Sequence, residues 1–148
     1  MPTLKSNTIP DIDSLVITEN GVQKLLANIQ PNKAMGPDQI PAKILRSCSE
    51  SLAPVLTKIF QKSIDSGALP SDWRKANIIP IYKKGDRTNP ANYRPVSMTS
   101  IPCKLLEHII HHHIMDHLDR HQILTNRQHG FRRGRSCDTQ LAGLIDDL

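Results

Sequence analysis

Ala76–Glu107 reads ANIIPIYKKGDRTNPANYRPVSMTSIPCKLLE, and within it apolar strand formers stop abruptly at a basic turn. Ile78, Ile79, Ile81 and Tyr82 make a β-rich run that ends at Lys83, Lys84, Gly85 and Asp86. A second run, Tyr93 to Met98, follows a polar turn through Asn89, Pro90 and Asn92, so the pattern predicts a β-hairpin with a basic tip. Pro80 and Pro95 donate no ladder hydrogen bond, which places each on an edge strand and predicts a ribbon that projects from its surroundings. Arg74, Lys75, Lys83, Lys84, Arg87 and Arg94 stand there against Asp72 and Asp86, a surface suited to phosphate oxygens. Lysine-rich turns also protect sheet edges, so a solvated charged loop is the competing reading.

Outward from the hairpin the chain reads as helices. Thr18 caps a first helix with Val22, Leu25, Leu26 and Ile29 at core-facing spacing, which Pro31 ends. Pro41 opens a helix through Ile44, Leu45 and Cys48. A longer one begins near Ser49 or Ser51 with Pro54 in its first turn, a stripe of Leu52, Val55, Leu56, Ile59, Phe60 and Ile64, and Gly67 as its C-terminal stop. Trp73, the only tryptophan, reads as a core anchor rather than a base-stacking platform. Thr99 or Ser100 caps a helix to about Arg120, whose Leu105, Leu106, Ile109, Ile110, Ile114 and Leu118 cover a broad arc. His113 and His117 fall within that arc, while His108, His111 and His112 fall outside it; without an H-E-x-x-H pattern or a cysteine partner at ligand spacing they read as titrating groups rather than metal ligands. Ser136 caps a last helix with the stripe Leu141, Leu144, Ile145 and Leu148, and Asp138 complements its dipole. The fold class is therefore α+β, mostly helical, with one projecting basic hairpin.

Composition bounds the function classes. The 148 residues are one domain's worth; their 38% hydrophobic and 3% aromatic content predicts an aliphatic and incomplete core. Nineteen Lys and Arg against fourteen Asp and Glu give a net charge of +5, which favours a polyanionic partner. Cys48, Cys103 and Cys137 form no C-x-x-C pair, which speaks against a disulfide framework or zinc site, for a reducing intracellular setting, nuclear or cytoplasmic, and for a small buried side chain at each. No signal segment opens the chain and no apolar run approaches the roughly 18 residues of a membrane span. Met1 to Val16, rich in Pro, Ser, Thr, Asn and Asp, reads as a linker or frayed arm. Arg127–Arg135 packs four arginines, two glycines and Phe131 with no acid: arginines fork onto phosphate oxygens, and Phe131 either stacks on a base or fastens the loop to the core. The spacing is not that of a nucleotide triphosphatase loop.

Three stretches in order, PNKAMGPDQIPAKIL (Pro31–Leu45), the run Trp73–Glu107 and RQHGFRRGRSCDTQL (Arg127–Leu141), resemble the N-terminal motifs of reverse transcriptases from non-LTR retrotransposons of the jockey-like LINE type. The resemblance covers about Ile17 to the last residue, which it implies is a partial reverse transcriptase domain, residues 17–148: the fingers and the start of the palm of a right-hand polymerase. It implies that Lys83 and Arg94, with Lys84 beside them, contact the incoming nucleotide or the template, that Lys33 contacts phosphate, and that Gln128, Gly130 and Phe131 lie near template and primer, with Arg132, Arg133 and Arg135 on phosphates. Met35 stands where the family often carries a small residue or Pro.

The family's catalytic aspartates, which hold magnesium, belong to palm motifs that would follow this chain. Asp146 and Asp147 sit in the acidic helix after the arginine loop and take no catalytic role. The resemblance implies an RNA template, a DNA primer and a deoxynucleotide as partners of the complete enzyme, with no cofactor and no polymerase activity in this chain alone. A non-catalytic RNA- or DNA-binding module derived from such an enzyme, and a structural protein-interaction domain, are the alternatives; only the last binds no polyanion.

Overall fold

Thr18 starts the helical part of the chain by accepting a hydrogen bond from the Gly21 amide at 3.2 Å, which satisfies one of the donors a helix start leaves open. Helix α1 then runs Glu19–Ala27, and burial of Val22, Leu26 and the following Ile29 fixes its core face. The structure, a computed structural model, describes residues 10–132 and 134–146. After α1 come α2 (Ala42–Ser47), α3 (Ser49–Ser66), a 3-10 turn at Ser71–Arg74, strands β1 (Asn77–Tyr82) and β2 (Tyr93–Met98), α4 (Ile101–Arg120) and α5 (Cys137–Asp146). The architecture is α+β with a single two-stranded antiparallel sheet among the described residues. No helix among them is long and apolar enough to cross a membrane.

The chain divides into two compact units, one Ser14–His111 and the other formed by Met1–Asp13 with His112–Leu148. The first holds the core: Ile17, Val22, Leu26, Leu45, Leu56, Phe60, Ile101 and Leu106, with Leu15, Leu52 and Trp73 packed against it. Leu15 and Ile17 are tied down by Gln61, whose Oε1 accepts from the Ile17 amide at 2.9 Å and whose Nε2 donates to the Leu15 carbonyl at 3.2 Å. The end of the expected arm is thus part of the fold, while residues 1–9 lie outside the described ones. Trp73 meets Phe60 edge to face at 5.6 Å, the anchoring role its sequence context predicts. It does so from the 3-10 turn rather than from the strand.

Helix α3 corrects two expectations. Pro54 lies inside it, past the first turn, because the helix begins directly after Cys48, with no side-chain cap. Its buried face is Ala53, Leu56, Thr57, Phe60 and Ser63, leaving Val55 and Ile59 exposed. Small residues at 53, 57 and 63 sit on the buried face of the helix that packs on α1, and backbones approach closely where side chains are short. Gly67 ends the helix in the left-handed conformation, φ +63°, as expected. Gly36 serves a close approach: a Cβ there would stand 2.4 Å from the Ser100 backbone nitrogen, so the loop before α2 seats directly on the chain entering α4. Ser100, fully buried, accepts from the Cys103 amide at 3.3 Å and caps α4. Cys103 is buried, and burial with the neighbouring Glu107 carboxylate pushes its thiol up to about 11. Cys48 and Cys137 are exposed, against expectation: each sits at a helix boundary, where no neighbouring layer covers it.

In the second unit no described residue is buried. Ser136 and Thr139 cap α5 reciprocally, the Thr139 amide donating to Ser136 Oγ at 3.2 Å and the Ser136 amide to Thr139 Oγ1 at 2.8 Å. Local chemistry therefore starts the helix, yet Leu141, Leu144 and Ile145 on it are exposed; Asp147 and Leu148 lie outside the described residues. Each apolar side chain left wet forgoes roughly 1.5 to 3 kcal/mol, and tenfold in an opening constant is about 1.4 kcal/mol. Hydrogen exchange on the monomeric chain is therefore expected to be about a hundredfold faster in α5 than in the first half of α4. Equal protection would mean that α5 has found a buried face of its own.

Candidate nucleic-acid interface

The hairpin pairs Asn77 with Met98, Ile79 with Val96, Pro80 with Pro95, Ile81 with Arg94 and Tyr82 with Tyr93. The Lys83 amide donates to the Asn92 carbonyl at 2.8 Å, extending the same register by one residue pair. Because hydrogen-bonded and non-hydrogen-bonded pairs alternate, Pro80 and Pro95 occupy a non-hydrogen-bonded pair, and the missing N–H of each would have pointed to a free edge. Two prolines thus cost the ladder nothing and obstruct strand addition at both edges.

Side chains alternate along a strand, so Ile79, Ile81 and Lys83 share one face with Val96 and Arg94. Lys83 and Arg94 are diagonal neighbours there, a relation that places Cβ atoms about 7 to 8 Å apart. The opposite face carries Tyr82 and Tyr93, whose rings meet edge to face at 5.6 Å. Arg87 lies over the Tyr82 ring, 4.7 Å from its centroid.

The tip is a built loop. Gly85 has φ +89° and could carry no Cβ without meeting the Asn92 side chain. Asn92 Nδ2 donates to the Asp86 carbonyl at 2.8 Å, the Tyr93 hydroxyl donates to the Arg87 carbonyl at 2.9 Å, and the Tyr82 hydroxyl donates to the Gly85 carbonyl. Asp86 accepts from the Thr88 amide at 2.9 Å, which holds its carboxyl below the usual carboxylate range. Lys75 pairs with Asp72 at 3.1 Å. Among the described residues Lys83, Lys84 and Arg94 pair with no carboxylate, and all three are exposed. Lys33 is exposed on the loop that Gly36 anchors.

The arginine loop belongs to the other unit. Arg132 is turned inward, its side chain 19% exposed, donating to the Thr125 carbonyl at 3.1 Å and facing Asp119 at 3.5 Å. Arg135 donates to the Asn126 carbonyl and, at 3.4 Å, to Asn126 Oδ1. The acid missing from the segment is supplied by α4. Arg133 lies outside the described residues. Gln128 donates to the Gly130 carbonyl at 3.3 Å. Phe131 is 90% exposed with φ +61°, so it does not fasten the loop to a core.

A pocket of about 580 Å³ opens among Asp119, Gln122, Leu124, Asn126, Arg132 and Arg135. Sequence reading missed it, because the Asp119–Arg132 pairing joins residues thirteen apart and leaves no local pattern. On α4, His113 and His117 are half-buried while His108, His111 and His112 are exposed, as winding predicts. The His113 ring bonds the Asp13 carbonyl at 2.8 Å, and Arg120 holds the Asp116 carboxyl below the usual range. Among the described residues no three His, Cys, Asp or Glu side chains converge where a metal ion could sit. The donor set magnesium would need is not offered by them.

No family model matches the chain. It is similar to the RNA-directed DNA polymerase from the mobile element jockey of Drosophila melanogaster, 28% identical over 131 residues that cover 88% of this chain and 14% of that protein. The probable RNA-directed DNA polymerase from transposon BS of the same organism is 29% identical over 150 residues, 99% of this chain and 17% of that one. The corresponding protein of transposon X-element is 27% identical over 128 residues, 86% of this chain and 14% of its own length. The chain thus spans 14 to 17% of the length of these relatives. What aligns with most of this chain is, in each case, a segment of an RNA-directed DNA polymerase, or a probable one, from a mobile element or transposon.

Proposed function

We propose that this chain is the substrate-gripping part of an RNA-directed DNA polymerase of a non-LTR retrotransposon, corresponding to the fingers and the start of the palm of a right-hand polymerase. The observation that carries the proposal is the pair Lys83 and Arg94, exposed, without carboxylate partners among the described residues and side by side on one face of a braced hairpin. Two such cations carried on a braced hairpin suit phosphate oxygens of a template strand or an incoming deoxynucleotide, since the backbone that presents them is ordered before binding. Lys84 adds charge at the tip, and Lys33 adds a phosphate contact from the Gly36 loop. Gln128, Gly130 and Phe131 serve template and primer, with Arg133 and Arg135 on phosphates while Arg132 is held by Asp119; the 90% exposed Phe131 offers a ring for a base. The exposed stripe Leu141, Leu144 and Ile145 packs on the remainder of the polymerase. Magnesium and the aspartates that hold it belong to that remainder.

Template–primer extension tests whether this chain grips without reacting. With magnesium and deoxynucleotides, the purified chain is expected to retain a template–primer duplex in a binding assay yet extend it no faster than a protein-free control. Extension above that background, abolished by Asp146→Ala or Asp147→Ala, would place catalytic carboxylates in this chain.

A further inference from the structure

The pocket beside the arginine loop carries chemistry of its own. Arg132 faces Asp119 at 3.5 Å and is locally neutralised. Arg135 pairs with no carboxylate among the described residues, so one positive charge is left over in the lining. Its guanidinium is held by the Asn126 carbonyl and Oδ1, which fixes the fork and leaves further N–H donors. The Gln122 side chain makes no hydrogen bond among the described residues, and the residue is held at φ +51° by the turn that ends α4. Leu124 is an apolar patch in an otherwise polar lining.

We infer that this pocket takes one nucleotide of a single-stranded nucleic acid, its phosphodiester on Arg135 and its base over Leu124 with an edge toward the amides of Gln122 and Asn126. The inference rests on the nucleic-acid-binding function proposed above and assigns it a second contact, in the other unit. Size agrees: about 580 Å³ lies within the roughly 300 to 1,000 Å³ of small-ligand sites. Charge narrows the ligand, because one surplus cation matches the single negative charge of a phosphodiester better than the several of a free triphosphate. Amide groups read base edges only where those edges are unpaired, which selects a single strand over a duplex. A protein partner fits less well, since one leucine among polar groups is a poor seat for an apolar anchor.

The test compares binding of the full chain to two short RNA strands of equal length and charge, one intact and one with abasic sites at alternate positions. The intact strand is expected to bind about tenfold tighter, an amount ordinary for one recognised base. Gln122→Asn, which tolerates the left-handed backbone but draws the amide back by one carbon, should shrink that ratio without changing the salt dependence. Arg135→Lys, which keeps the charge and loses the fork, should weaken both strands alike. Methyl NMR of Leu124 should shift with the intact strand and stay still with the abasic one, a readout independent of whether a variant folds. Equal affinity for the two strands, or an unmoved Leu124 methyl, overturns the pocket assignment while leaving the hairpin site standing. Failure of either strand to bind at all overturns the nucleic-acid function and the pocket with it.

Discussion

Replacing Lys83, Lys84 and Arg94 together by Ala is expected to reduce the affinity of the chain for single-stranded RNA by roughly a hundredfold at low salt. It should also flatten the dependence of log K on log salt by about 2 to 3, since each phosphate contact contributes about 0.7 to 0.9 to that slope. The three side chains are exposed and face no carboxylate among the described residues, so stability should move by no more than about 0.5 kcal/mol. That contrast makes the variant informative, since binding falls while the fold persists. An unchanged slope in a folded variant would move the phosphate contacts off the hairpin, leaving the arginine loop to supply them.

Phe60→Ala is the substitution expected to cost most in stability. Phe60 is fully buried at the centre of the core and meets the Trp73 ring edge to face. Truncating such a ring costs about 3 to 5 kcal/mol, and native domains have only about 5 to 15 kcal/mol to lose. Trp73 is the single tryptophan, so its fluorescence in a urea titration reads the effect at the contact itself. A loss below about 1 kcal/mol would mean that neighbouring side chains refill the site. The hairpin should survive the substitution least well, because it is a sheet of only two strands, with β1 exposed throughout, and Trp73 just before it packs on the core.

The hairpin was legible because its signals are local: β-branched residues, a Gly-Asp turn and two prolines that tolerate only edges. Its register, and with it the shared face of Lys83 and Arg94, comes from the structure. Helix starts were equally legible at Thr18, Ser100 and Ser136, where a hydroxyl meets an amide three residues on. The buried face of α3 was not, because apolar residues cover most of its circumference and the packing choice fell on small ones, Ala53, Thr57 and Ser63, over Val55 and Ile59. Cysteine exposure was misjudged at Cys48 and Cys137 for a related reason: burial depends on what lies across from a helix end. In the candidate site, the charged side chains could be named from sequence, but not which of them are already engaged. Arg132 and Arg135 look equivalent in GFRRGRS, and only tertiary structure gives Asp119 to one and Asn126 to the other.

Salt titration of the unmodified chain against single-stranded RNA tests most directly whether it grips nucleic acid through its exposed hairpin cations. Lys83, Lys84 and Arg94 alone predict a slope of log K against log salt of about −2 to −3, and contacts from Lys33 or Arg135 would steepen it. Binding at low salt that weakens along such a slope is the result expected. Absence of binding at low salt, or binding indifferent to salt, would contradict it and leave a protein-interaction domain as the better description of the fold.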